Sequence, residues 1–332
     1  GGTTATVILT GSAGGTYIAS PPGLSLDAST GTIDPGTSTP GSYTVTYAIA
    51  AGGGCGAFSA TADVTISSAP SATISYTGSP YCSSGIIANV TRTGSAGGTY
   101  TATPGGLSIN STSGAIDLAA STAGTYSVTY AIDANDGCSA FSTMATFTIT
   151  EAPSASIAYA GSPYCNSGGT VAVDQTGSGG GSYTATPVGL SVNASNGSID
   201  LGLSAAGSYT VTYGIAASGG CAAYNAMASV VVTTAPVASI SYAGSPYCNS
   251  GSTADVTQTG SAGGAYSAVP TGLSIDQTTG LITLGTSMPG IYTVTYAIAA
   301  GGGCAAFSTT TAVTITDIVP MSWITPVFSS SV

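Results

Sequence analysis

The feature that most constrains this chain is an internal period of 83 residues. The segment Gly124-Thr-Tyr-Ser-Val-Thr-Tyr-Ala-Ile132 occurs four times. Its other copies are Gly41–Ile49, Gly207–Ile215 and Gly290–Ile298, with no insertion or deletion between them. Tyr126, Val128, Tyr130 and Ile132 occupy alternate positions. Alternation of aromatic and β-branched residues is the mark of a strand with one buried face. A lone strand is not stable in water, so each period should build a small sheet sandwich around this one.

The repeats divide the chain into 1–69, 70–152, 153–235 and 236–318, with a tail at 319–332. The first repeat lacks its first fourteen positions, because Gly1 matches Ser84 of the second. In the second repeat the pattern predicts strands at 72–76, 86–92, Thr99–Thr103, 107–109, 115–118, Gly124–Ile132 and 138–150, separated by Gly, Pro, Asn and Ser. Seven short strands with turns between them read as an all-β chain of four tandem immunoglobulin-like sandwiches. Joins of a few residues, each with a proline, predict end-to-end stacking as a stiff rod.

Only 4% of the residues are charged, against about 25% in ordinary globular chains. Arg92 is the only basic residue, histidine is absent and the net charge is −11. A nucleic-acid partner needs cations for its phosphates, so that class is excluded. No apolar run reaches membrane-spanning length, so no membrane insertion is expected. A surface made polar by Ser, Thr, Asn and Gly suits an extracellular protein.

Seven cysteines keep the same period. Cys82, Cys165 and Cys248 follow Pro-Tyr, while Cys55, Cys138, Cys221 and Cys304 follow glycine. Cysteines at fixed places imply disulfides and an oxidising compartment. The simplest pairing lies within a repeat: Cys82 with Cys138, Cys165 with Cys221, Cys248 with Cys304, leaving Cys55 unpaired. Pairing between neighbouring repeats is the alternative that spacing leaves open. Zinc is not expected without histidine or a close cysteine pair.

The run Gly-Leu-Ser-Ile-Asn-Ser-Thr-Ser-Gly-Ala-Ile, followed by Gly-Thr-Tyr-Ser-Val-Thr-Tyr, resembles the immunoglobulin-like, cadherin-like repeats of bacterial surface proteins. With Ser-Pro-Tyr-Cys and the Gly-Gly-Cys element it is most similar to tandem repeats of giant secreted proteins of Bacteroidota. The resemblance implies an extracellular, cell-surface role, as a stalk or a filament. It does not bring cadherin calcium sites with it. Asp133-Ala-Asn-Asp136 is similar to one such element, but the other repeats carry Ala and Gly there.

The two ends of the chain depart from the period in complementary ways. The tail contains the only tryptophan and has apolar groups at Ile318, Val319, Met321, Trp323, Ile324, Val327 and Phe328. Apolar side chains on both faces fit a strand buried in a groove. Its Pro326-Val-Phe-Ser-Ser parallels Pro80-Tyr-Cys-Ser-Ser, with Phe328 in place of cysteine. The first repeat lacks a first strand, and the tail is a spare one. The expectation is donor-strand complementation: the tail of one copy fills a groove at Val7, Leu9, Phe58, Val64 and Ile66 of the next. Such a head-to-tail contact propagates as a homopolymer.

Acid–base chemistry finds few candidates. Asp27, Asn110, Asn193 and Asp276 share one repeat position, and Asp34, Asp117, Asp200 and Thr283 share another. A turn accepts Asp or Asn alike, whereas catalysis by a carboxylate does not. The Gly-Ser-Ala-Gly-Gly stretches lack lysine and precede strands, so they read as turns rather than phosphate loops. Asn89, Asn110, Asn193 and Asn196 begin glycosylation sequons, at a frequency chance supplies in so Ser/Thr-rich a chain. No enzymatic activity and no cofactor are expected. The leading expectation is the structural subunit of an extracellular filament. A stalk segment of a giant adhesin and a carbohydrate-binding module using exposed tyrosines are the alternatives.

Overall fold

The computed structural model describes residues 3–318. It is built from strands, with a single 3-10 turn at Leu284–Thr286 among the described residues. By its contacts the chain divides into two compact units. One comprises residues up to Ala152 together with Ala217–Ala222; the other comprises Pro153–Ala216 and residues from Ala223 onward.

The second repeat shows the plan. Gly124–Ile132 runs antiparallel to Phe141–Thr150 over its whole length, with Gly124 opposite Ile149 and Ile132 opposite Phe141. Thr99–Thr103 pairs with its other edge. The alternation read from sequence decides which side is buried: Tyr126, Val128 and Tyr130 are at most 3% exposed. Ile116, Phe147 and Ile149 close over them from neighbouring strands. Each fully buried side chain of this size contributes about 1.5–3 kcal/mol.

The tyrosines enter the core because each hydroxyl finds a partner at the rim. Tyr126 donates to the Thr122 carbonyl at 2.7 Å. Tyr130 accepts from Gly98 N–H at 2.9 Å and donates to the Ser95 carbonyl at 3.1 Å. Tyr76 donates to the Gly114 carbonyl at 2.7 Å. Without such bonds a buried hydroxyl would offset a large part of what the ring's burial returns. Arg92 lies across this rim. Its guanidinium donates to the Gly94 and Ser95 carbonyls and sits 5.7 Å from the centre of the Tyr130 ring.

Three details differ from the pattern reading. The stretch 86–92 is broken into Ile87–Ala88 and Thr91–Gly94, because the two halves serve different partners. The first pairs with Ile116–Asp117 and the second with Ala72–Ser75. The last strand starts at Phe141, not at Cys138. Residues 135–138 form a turn instead, closed by the Cys138 N–H on the Asn135 carbonyl at 2.9 Å. Asp136 and Gly137 hold the left-handed backbone this turn requires, at φ 50° and 79°. Finally, Tyr81–Cys82 is a short strand of its own, parallel to the end of Phe141–Thr150, with Cys82 opposite Thr150.

The third and fourth repeats follow the same plan. Their four-stranded sheets are built on Gly207–Ile215 and Gly290–Ile298. Their cores centre on Val211 and Val230, and on Val294 and Val313. The first repeat is thinner. Its sheet has three strands, and among the described residues its buried cluster is Tyr17, Val45 and Tyr47.

Candidate assembly site

The open side of the first repeat is defined by comparison with the other three. In the second repeat Tyr81–Cys82 covers the edge of the last strand. Ser83 N–H donates to the Thr150 carbonyl at 2.9 Å, and Thr148 N–H donates to Ser79 Oγ at 3.0 Å. Among the described residues, the matching groups of Ser67 and Thr65 have no such partners. An uncovered edge of this kind is a template for another strand.

The side chains tell the same story. Val64 and Ile66 are half-buried, while their counterparts Phe147, Val230 and Val313 are 0% exposed and Ile149, Val232 and Ile315 are 2% exposed. Phe58 is 62% exposed, whereas Phe141 and Phe307 are half-buried. Val7 packs against the first core and Leu9 lies open beside it at 40% exposure. The five residues read from sequence as a groove therefore lie in a repeat whose core is only partly covered. Of the donor residues, Ile318 is exposed. Val319, Met321, Trp323, Ile324, Val327 and Phe328 lie outside the described residues.

The cysteines correct the pairing expected within each repeat. Cys82 bonds Cys221 and Cys165 bonds Cys304, each across 139 residues of sequence and with Cα atoms 4.7 Å apart. Cys55, Cys138 and Cys248 are free thiols. Bonds between Cys82 and Cys138, Cys165 and Cys221, and Cys248 and Cys304 are thus not formed. The reason is geometric. Cys82 sits opposite Thr150, at one end of the last strand, while Cys138 precedes its other end at Phe141. Nine steps of strand separate those ends, roughly 30 Å. A disulfide needs Cα atoms within about 7 Å.

What Cys82 does meet is the turn holding Cys221, which belongs to the first compact unit. Gly219 and Gly220 are left-handed, at φ 57° and 79°. A side chain on Gly220 would strike the Pro80 carbonyl and the Tyr81 Cα. The turn is thus a fitted seat for Pro-Tyr-Cys. In the second unit Gly303 packs against Pro163 and Tyr164 in the same way, and the Gly302 carbonyl accepts from Thr233 Oγ1. At Gly54 and Gly137, the same repeat position, nothing lies within 4 Å of where a side chain would be. The sequence reading gave Gly-Gly-Cys no structural role; the signal for the seat was its recurrence together with Ser-Pro-Tyr-Cys.

Carboxylates do not build a second site. Asp27, Asn110, Asn193 and Asp276 each accept two backbone N–H groups of the turn that follows them. Hydrogen bonds from Ser29 and Thr30 hold the Asp27 carboxyl down at about 2. Those from Thr279 and Thr278 lower Asp276 as well. Asp34, Asp117 and Asp200 also accept backbone N–H groups, from Gly36, Ala120 and Gly202. Among the described residues no three His, Cys, Asp or Glu side chains gather as metal ligands. None of the 19 tyrosines is exposed. They form no sugar-stacking platform.

No family model and no curated protein matches the sequence. Among solved structures, the titin fragment I67–I69 is similar at 13% identity over 76% of this chain and 100% of that one, with a TM-score of 0.41. Mouse cadherin-23 EC22–24 is similar at 16% identity over 75% and 100%, with a TM-score of 0.34. Drosophila N-cadherin EC1–4 is similar at 10% identity over 93% and 94%, with a TM-score of 0.29.

Proposed function

We propose that this chain is the structural subunit of an extracellular filament that grows head to tail, residues 318–332 of one copy completing the first repeat of the next. The observation that carries the reading is the partly covered first core, with Val64 and Ile66 half-buried where every counterpart is sealed. An added strand would pair with the free edge of Phe58–Ile66, as Tyr81–Cys82 does with Phe141–Thr150 in the second repeat, and bury those side chains. The two disulfides support an oxidising, extracellular setting. The resemblance of the repeat to those of giant secreted Bacteroidota proteins points the same way. The test is electron microscopy of the full chain and of a chain ending at Asp317. Long fibres from the first and dispersed particles from the second are expected; equal fibres from both would overturn the reading.

A stalk segment of a larger surface adhesin is the second reading, favoured by the empty seat at Cys138. The Cys138 thiol lies 3.6 Å from the Ser68 carbonyl, much as Cys221 lies 3.6 Å from that of Glu151. A preceding Pro-Tyr-Cys segment would fit there.

A further inference from the structure

We propose that Cys248 of one copy and Cys55 of the next form a disulfide, which locks each joint of the filament covalently. The inference rests on the head-to-tail reading above and deepens it.

The two disulfides already formed show what each half of such a joint looks like. One half is a Tyr-Cys strand lying parallel to the end of the last strand. Tyr247–Cys248 is that half, with Tyr247 opposite Ile315 and Cys248 opposite Thr316. Thr316 Oγ1 lies 3.1 Å from the Tyr247 carbonyl oxygen, as Thr233 Oγ1 lies 3.2 Å from that of Tyr164. Cys248 is exposed and free. The strand has therefore taken its bonded form without a partner.

The other half is the glycine turn ahead of the second cysteine. Gly52 and Cys55 close this turn by mutual backbone bonds at 3.1 and 3.2 Å, as Gly301 and Cys304 do at 2.9 and 3.1 Å. Gly53 and Gly54 have φ of 61° and 85°, beside 58° and 80° at Gly302 and Gly303. The space that Pro163 fills against Gly303 is open at Gly54. The occupant this seat accepts is a Pro-Tyr-Cys strand, and the chain carries one unused at Pro246-Tyr-Cys248.

Register chooses a second copy as its source. Both observed disulfides join the Tyr-Cys strand of one repeat to the glycine turn of the repeat that follows it, so on the head-to-tail reading Tyr247–Cys248 of the fourth repeat faces the turn holding Cys55 in the first repeat of the next copy. Cys138 lies in the second repeat, which follows the first repeat of its own chain, and so stands away from the joint. One joint then carries one disulfide, and Cys138 remains a thiol.

The oxidant is a small-molecule disulfide. The Cys248 thiolate attacks one of its sulfurs and expels one thiol, giving a mixed disulfide. The Cys55 thiolate then attacks the Cys248 sulfur and expels the second thiol. Two protein thiols and one external disulfide give one protein disulfide and two small thiols.

The test assembles the full chain with glutathione disulfide, then alkylates it and runs it on gels without reductant. Peptide mass spectrometry identifies the linked cysteines, and electron microscopy follows assembly separately. A ladder of multimers is expected for the native chain and for Cys138→Ser. Monomers alone are expected for Cys55→Ser and Cys248→Ser, although both still form fibres. Fibres of the native chain in which Cys55 and Cys248 are both alkylated would overturn the disulfide and leave the polymer standing. A ladder linked through Cys138 would overturn it too. A native chain giving neither fibres nor ladder would overturn both.

Discussion

Cys82 lies opposite Thr150 on the last strand of its own repeat and bonds Cys221, 139 residues away. This single relationship makes each disulfide a tie between successive repeats, not a clasp within one. In the chain-entropy account a loop of that length contributes about 5 kcal/mol. Cys82→Ser and Cys221→Ser should lower the urea midpoint by similar amounts, and the double variant should lose little more than either. Peptide mapping should recover Cys82 with Cys221 and none with Cys138.

The first repeat should respond differently from the others to the loss of apolar side chains. Ile149→Ala should cost about 2–5 kcal/mol, because it leaves a cavity in a sealed core. Ile66→Ala, at the same repeat position, should cost the isolated chain far less, since its side chain is already half in water. Its effect should appear in fibre formation instead. Urea titration of the monomer and turbidity of the assembling chain measure the two separately.

Alkaline pH should loosen the complete repeats. Burial raises the Tyr76 and Tyr242 hydroxyls and carries Tyr159 up to about 12. An unfolded tyrosine ionises near 10. Above that pH the unfolded chain loses protons that the folded chain keeps, so stability falls. Below about pH 10 the contribution is whole; it drains away as pH rises toward 12. Melting temperature against pH should show this fall, and Tyr159→Phe should flatten part of it. That variant also loses the bond to the Gly197 carbonyl, worth about 0.5–1.5 kcal/mol.

At acid pH the turns provide the reverse case. The Asp27 carboxyl is held down at about 2 by the N–H and hydroxyl groups of Ser29 and Thr30. Its unfolded value is near 4. The stabilisation it gives is therefore present above about pH 4 and is lost as pH falls toward 2. Asp27→Asn should leave stability near neutrality little changed, because Asn110 and Asn193 make the same turn bonds. It should remove this part of the acid dependence, measured by melting between pH 2 and 5.

Much of this architecture was legible in the letters. The alternation at Tyr126, Val128 and Tyr130 names the buried face without ambiguity, and Asp beside Asn at one repeat position marks a turn. Cysteine partners were not legible, for a physical reason. Spacing along the chain does not say which end of a strand a residue reaches, and Cys138 and Cys82 sit by opposite ends of the same one. The Tyr81–Cys82 strand escaped notice because two residues cannot display a period. The weak first core was legible only as missing sequence; its half-exposed Val64 and Ile66 needed coordinates.

The two disulfides also enclose overlapping rings, from Cys82 to Cys221 and from Cys165 to Cys304. Any single backbone nick between Cys82 and Cys304 falls inside at least one of them, so neither piece can drift away. Arg92, the sole place where a trypsin-like protease could cut, lies in the first ring. A protease of that specificity would wound this molecule without severing it.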